Sequence, residues 1–133
     1  MIKWDDNLKI GIKIIDAHHK YLFDLCRSLE MLLETPLGVY KVDDAIKIIC
    51  DFREFLTFHF YYEEIYLKKF NVSDLEEHLL EHEEFKNQIV NININNIYNE
   101  NYNELKSLLN LSYGLVFSHM ADKDFKLKNL INK

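Results

Sequence analysis

Two histidines, His78 and His82, stand four residues apart in the stretch HLLEH. In a helix, residues at that spacing point to the same side. Three more histidines, His19, His59 and His119, fall in phase with the leucines and isoleucines of other predicted helices, so five of the six histidines are expected to face the core. One buried histidine is more often a hydrogen-bonded structural residue than a ligand. Burial of five imidazoles without a common partner would cost on the order of several kcal/mol, and a metal would satisfy all of them.

Two carboxylates join this set of histidines. Glu63 follows His59 by four residues on the same face, and Asp124 follows His119 by five, where the fourth predicted helix should be ending. A buried carboxylate requires a cation. The five histidines, two bridging carboxylates and one solvent-derived oxo or hydroxo bridge fill all but one position of two six-coordinate ions. Imidazole and carboxylate ligands without thiolate favour iron, so the sequence predicts two non-haem iron ions with an open position on the ion that has fewer histidines.

The first half of the chain predicts two helices that position these residues. Asp16 caps the first helix, which the breakers at residues 35–38 end. The second helix spans about residues 40–69, and its apolar residues alternate steps of three and four. A helix of that length reaches from one end of a helical bundle to the other.

The second half of the chain predicts two more helices. Ser73 and Glu76 have the spacing of a capping box, which opens the third helix. Residues 91–103 are rich in asparagine and are predicted to form a solvated turn flanked by frayed helix ends, after which the fourth helix runs through His119. The sequence therefore predicts an all-α fold, an antiparallel up-down-up-down four-helix bundle with an N-terminal arm and a short C-terminal helical tail.

Composition sets the expected class and compartment. The chain has 133 residues, and we expect one domain over residues 1–133. A net charge of -6 gives no reason to bind nucleic acid or an anionic membrane. The sequence has no apolar run of membrane-spanning length and no signal-peptide pattern, so we expect a cytoplasmic monomer. Cys26 and Cys50 are expected to be free thiols.

These residues resemble the hemerythrins, in particular the single-domain bacterial ones. The resemblance rests on five stretches, WDDNLKIGIKIID, HHKYLF, HFYYEE, HLLEH and HMADKD. It implies that His78, His82 and His119 bind one iron and that His19 and His59 bind the other. It also implies that Glu63 and Asp124 bridge the two irons. It also implies that dioxygen binds reversibly at the open position, taking one electron from each iron(II). A possible partner of such an oxygen-binding protein is a second protein that donates electrons or accepts the oxygen.

The chain departs from the family pattern around the oxygen pocket. His18 stands where many relatives have glutamine, and its helical phase, about 100° from His19, predicts a surface imidazole. Leu115 and Val116 stand where many relatives have tryptophan and leucine, and as smaller lining residues they would admit water and speed autoxidation. Six glutamates near the ligands are predicted to form a solvated acidic face: Glu64, Glu76, Glu77, Glu81, Glu83 and Glu84.

Several functions are compatible with such a site. The leading prediction is reversible dioxygen binding for storage, delivery or scavenging, without enzymatic activity. The alternative is a di-iron redox enzyme acting on peroxide, dioxygen or nitric oxide, although oxygen-activating bundles use Glu-x-x-His pairs and this sequence has none. An oxygen sensor that works through a partner protein comes third, and metal storage is a weaker fourth.

Overall fold

The regular structure of this protein is helical in all the residues that the structure describes. The computed structural model describes residues 2–34, 41–98 and 103–131. The helices in those ranges are α1 Lys13–Glu34, α2 Lys41–Lys69, α3 Leu75–Val90, α4 Ile94–Tyr98, α5 Asn103–Tyr113 and α6 Leu127–Ile131. Between α5 and α6 the chain forms a π-helical segment, Gly114–Lys123, and a 3-10 turn, Asp124–Lys126. The described residues contain no strand, which confirms the all-α class, and none of their helices is long and apolar enough to cross a membrane.

The predicted apolar stripes form two clusters of buried side chains. α1 packs against α2 and α5, and α2 packs against α3. The larger cluster includes Leu22, Cys26 and Leu29 of α1, Ile49, Phe52, Leu56 and Phe60 of α2, and Leu105 and Leu108 of α5. The smaller cluster contains Ile10, Ile15, Leu67 and Leu127. His19 of α1 and Glu63 of α2 therefore lie between two apolar layers. Both cysteines are free, as predicted.

The N-terminal arm is fixed to α1 by Asp16. The predicted position of Asp16 as the cap of α1 is wrong, because the helix already begins at Lys13. The chain turns at Gly11, which has a φ of 101°. This turn brings the backbone N–H groups of Ile10 and Gly11 to the Asp16 carboxylate, to which they donate at 2.7 and 3.1 Å. Asp16 thus holds the arm from inside the first turn.

The turn between α2 and α3 is set by the end of α2. Asn71 adopts a φ of 51°, and the N–H of Val72 donates to the carbonyl of Leu67, five residues earlier. Such a left-handed residue with a long closing bond is a standard helix C-terminus. Asp74 directly precedes α3 and makes no side-chain capping bond. The predicted capping box of Ser73 and Glu76 is therefore wrong.

The asparagine-rich stretch is only partly a turn. Residues 94–98 form the separate helix α4, and Ile97 is fully buried, so the prediction of a solvated turn between frayed helix ends is wrong for these residues. Ile92 and Ile97 pack on the core, although Asn91, Asn93 and Asn95 are exposed. Arg53 of α2 fixes the chain that leaves α3, because its guanidinium donates to the carbonyls of Ile89 and Ile92. Residues 99–102 and the predicted helix break at 35–38 lie outside the described residues.

The π-helical segment determines where Asp124 points. The N–H of Asp124 donates to the carbonyl of His119, five residues earlier. In an α-helix, side chains five residues apart would point about 140° away from each other. Hydrogen bonds that close over five residues widen the turn and bring such side chains onto one face. Both residues are consequently buried.

Candidate metal centre

The seven residues predicted as metal ligands meet in the layer between the two apolar clusters. Each is at most 2% exposed. Their donor atoms form two groups of four, and within each group these atoms all lie within 4.8 Å of one another. The three-histidine group is Glu63, His78, His82 and His119, and the two-histidine group is His19, His59, Glu63 and Asp124. The residues of each group could hold one metal ion.

Glu63 presents one oxygen to each group. Its Oε1 lies 3.3 Å from Nε2 of His78, 3.1 Å from Nε2 of His82 and 3.4 Å from Nε2 of His119. Its Oε2 faces the other way and lies 2.9 Å from Nε2 of His59. A carboxylate in this position can share its two oxygens between two ions.

Asp124 divides its oxygens in the same way. Its Oδ1 lies 2.9 Å from Nε2 of His78 and 3.3 Å from Nε2 of His119. Its Oδ2 lies 3.2 Å from Nε2 of His19, in the two-histidine group. Two carboxylates therefore connect the same two groups of histidines, from two different elements of the fold.

Two of the predicted surface glutamates support these histidines from outside. Nδ1 of His82 lies 3.1 Å from a carboxylate oxygen of Glu64, and Nδ1 of His119 lies 2.7 Å from one of Glu81. Lys123 in turn forms an ion pair with Glu81. The prediction of a solvated acidic face is therefore wrong for Glu64 and Glu81, because the packing of neighbouring helices turns their carboxylates onto the outer nitrogens of the imidazoles.

These outer contacts direct lone pairs into the centre. A carboxylate on Nδ1 keeps the proton of a neutral imidazole there, which leaves a lone pair on Nε2. The Nε2 atoms of His82 and His119 lie only 2.8 Å apart, so their lone pairs converge. Nε2 of His59 and Oδ2 of Asp124 are buried and have no well-aligned hydrogen bond, although each lies close to another polar atom of the centre. A cation would satisfy all four atoms, and nitrogen and oxygen donors without thiolate fit iron.

Protons and a metal compete for this centre. Burial alone would lower the pKa of His19 and His78, but hydrogen bonds to Asp124 and Glu63 outweigh it, raising the pKa of His19 to about 9 and that of His78 to about 10. Burial alone would raise the pKa of Glu63, yet hydrogen bonds from the surrounding imidazoles hold it well below its usual range. The carboxylates thus favour positive charge in the centre, which protons supply when no metal does.

His18 contacts the centre, contrary to its predicted position on the surface. It is 7% exposed, and its Nδ1 lies 3.2 Å from Nδ1 of His59. The rings of Phe55, Phe58 and Tyr62 surround it, since α2 covers the flank of α1 on which it lies. Burial and the neighbouring imidazoles lower the pKa of His18 to about 4, so it is neutral near pH 7.

Apolar side chains enclose the three-histidine group. The ring of Phe60 stacks on His82 with 4.1 Å between centroids, and Phe85 meets His119 edge-on at 5.7 Å. Leu115 and Val116 are buried in the larger apolar cluster, within the same π-helical segment as His119. Phe60 and Phe85 thus place apolar rings directly against two of these histidines.

Comparison with known proteins agrees with this site. Residues 10–131 match the Hemerythrin HHE cation binding domain family. The chain belongs to the hemerythrin family. This hemerythrin is 31% identical over 124 residues to the Bacteriohemerythrin of Clostridium acetobutylicum, an alignment that covers 93% of the present chain and 96% of the relative. No solved structure matches it significantly. As a hemerythrin, it is in general terms a di-iron protein of the oxygen-binding kind.

Three residues that contact the predicted ligands were missed by reasoning from the sequence: His18, Glu64 and Glu81. Each stands next to a predicted ligand in the sequence, but its side chain contacts a ligand on another helix. A metal-binding imidazole needs an acceptor for its outer N–H. A search among the sequence neighbours of the predicted ligands for such an acceptor could have identified these three residues.

Proposed function

We propose that this hemerythrin binds dioxygen reversibly at a centre of two non-haem iron ions. The observation that carries the proposal is the pair of carboxylates, Glu63 and Asp124, each of which presents one oxygen to each group of histidines. Two bridges of this kind hold two ions side by side. When bound, the iron(II) pair supplies the two electrons that dioxygen binding requires and takes them back on release.

The ligands divide unequally between the two ions. In the proposed assignment, His78, His82 and His119 bind one ion, and His19 and His59 bind the other. With both carboxylates and a solvent-derived oxo or hydroxo bridge in place, the open position falls on the ion that has two histidines. This is where dioxygen would bind.

The protein's own part is to hold the ligands and exclude water. Glu64 and Glu81 keep the Nδ1 protons of their imidazoles in place and so leave the inner nitrogens unprotonated. Leu115 and Val116 form the proposed apolar wall of the oxygen pocket, and a dry pocket limits the protons that would make the oxidation of the iron irreversible. We therefore propose a binding protein rather than an enzyme.

We also propose that the fold is an antiparallel four-helix bundle. Its helices would be α1, α2, α3, and α5 continued by the π-helical segment, with α6 as a short tail. The packing of α1 against α2 and α5, and of α2 against α3, supports this order. We propose one domain, working as a cytoplasmic monomer. Sedimentation of the iron-loaded protein tests the monomer directly.

Visible spectroscopy with iron analysis tests the function. The protein is loaded with iron(II) without air, exposed to dioxygen, and then purged with inert gas. We expect two irons per chain and a charge-transfer colour that appears with dioxygen and fades on purging. Two irons with rapid and irreversible oxidation would support the redox enzyme or the sensor instead.

A further inference from the structure

His59 has a different kind of outer partner from two other histidines of the centre. The Nδ1 atoms of His82 and His119 meet carboxylates, those of Glu64 and Glu81. Nδ1 of His59 instead meets Nδ1 of His18, a second imidazole, at 3.2 Å. The outer partner of His59 is therefore uncharged when it accepts a hydrogen bond.

The proton positions of this pair follow from the inner nitrogen of His59. Its Nε2 is fully buried and lies 2.9 Å from Oε2 of Glu63, within the two-histidine group, so Nε2 is the atom placed to bind an ion. A neutral imidazole that uses Nε2 as a ligand carries its proton on Nδ1. His59 then donates to Nδ1 of His18, and His18 carries its own proton on Nε2.

Aromatic rings keep His18 in the orientation that this hydrogen bond needs. The ring centroids of Phe55 and Phe58 each lie 5.3 Å from that of His18, and Tyr62 lies at 5.9 Å. The contacts with Phe55 and Tyr62 are edge-on, with interplanar angles of 76° and 86°. Enclosure on several sides restricts rotation of the imidazole and keeps its Nδ1 lone pair directed at His59.

We propose that His18 is a positioning residue that fixes the tautomer and ring orientation of His59, and that its uncharged acceptor makes the two-histidine group the weaker of the two metal positions. Carboxylate acceptors increase the basicity of a ligand imidazole, whereas an imidazole acceptor orients the ligand with less of that increase. The three-histidine group is therefore filled first and the two-histidine group second. This inference rests on the proposed iron centre.

Anaerobic titration of the metal-free protein with iron(II), followed by calorimetry, tests the proposal. We expect two binding steps in the unaltered protein. His18→Leu removes the acceptor and is expected to weaken the second step by about 10- to 100-fold, leaving the first unchanged. His18→Gln supplies an amide oxygen as acceptor and should restore the second step. Glu81→Gln is the matched variant in the three-histidine group, where Glu81 contacts His119, and it should weaken the first step.

The outcomes separate this inference from the proposed function. An unaltered protein that does not bind two irons contradicts the proposed function itself. Two irons with the same second step in His18→Leu overturn only the role of His18. Equal losses in His18→Leu and His18→Gln mean that His18 acts by packing, which also overturns it. If His18→Leu does not fold, as judged by circular dichroism, His18→Met takes its place in the same comparison.

A spectroscopic measurement checks the tautomer without iron chemistry. Zinc(II) serves as a diamagnetic probe in the centre, and the nitrogen-15 spectrum of the imidazoles reports which nitrogen carries each proton. We expect the proton of His59 on Nδ1 and that of His18 on Nε2. A proton on Nδ1 of His18 would overturn the assignment.

Discussion

The backbone N–H of Asp124 donates to the carbonyl of His119, and this five-residue bond brings both side chains to the same centre. A regular α-helix would turn one of the two away from the other histidines. π-helical turns are rare and often lie at functional sites. In this hemerythrin the widened turn brings His119, inside the π-helical segment, and Asp124, directly after it, to the proposed centre.

Asp124→Asn tests the second bridge. The substitution keeps the shape of the side chain but removes a negative charge that faces both groups, and we expect iron to fall from two ions to no more than one per chain. Asp122→Asn is the matched control, because that side chain is 69% exposed and only two residues away. Iron analysis of both variants after identical loading decides the matter. Two irons in Asp124→Asn would contradict a bridging role.

The stability of the metal-free protein should decrease as the pH rises. The pKa of His19 is about 9 and that of His78 about 10, both above the ordinary value of 6.5. Between pH 6.5 and these raised pKa values, the two histidines of the folded protein hold protons that the unfolded chain has released. The stabilisation is thus complete below pH 6.5 and is lost as the pH rises through about 9 to 10.

Urea unfolding at several pH values measures this dependence. The midpoint of the metal-free protein should fall between about pH 6 and about pH 9.5. The iron-loaded protein should show a smaller change, because its histidines are bound as neutral ligands. A midpoint that rises over this range in the metal-free protein would contradict the charge balance described here.

Val116→Leu tests the wall of the oxygen pocket. The side chain is buried in the larger apolar cluster, so an added methylene costs about 1–3 kcal/mol of stability. In the proposed pocket, the larger side chain would leave less room for water. We expect slower conversion of the oxygen-bound protein in air to the oxidised form that no longer returns dioxygen. Phe117→Leu is the control, because Phe117 is 56% exposed. Equal rates in the unaltered protein and Val116→Leu would exclude Val116 from the pocket.

Gly114 and Gly11 should respond in opposite directions to replacement by alanine. Gly114 lies at the start of the π-helical segment, and an added Cβ would have no atom within 4 Å. Gly114→Ala should therefore stabilise the fold by about 0.4–1 kcal/mol. Gly11 has a φ of 101°, so Gly11→Ala should destabilise it by about 1 kcal/mol or more. Urea midpoints test both, and a lower midpoint for Gly114→Ala would show that the π-helical turn requires glycine.

Helical phase was sufficient to find the residues of the centre on α1, α2 and α3. His59 and Glu63, for example, are four residues apart, and that spacing alone places them on the same face. Asp124 was harder, because its five-residue spacing from His119 fits a π-helical turn rather than an α-helix. It was found from the chemistry of its carboxylate rather than from its phase.

Contacts between neighbouring helices were not predictable from the sequence. His18 is turned away from His19 on α1, but α2 covers that flank and brings His59 to it. Asp16 and the predicted capping box were misjudged for a similar reason, since the folding of the arm and the end of α2 set those turns. In each of these places, tertiary packing overrides the conformation or exposure that the local sequence favours.

Gas exchange measures reversible dioxygen binding most directly. Iron(II)-loaded protein of known iron content is given a measured amount of dioxygen, and an oxygen electrode records the amount taken up and then the amount returned when the pressure is lowered. We predict one dioxygen taken up for every two irons and nearly all of it recovered. Uptake without recovery, together with oxidised iron, would contradict reversible binding at this centre.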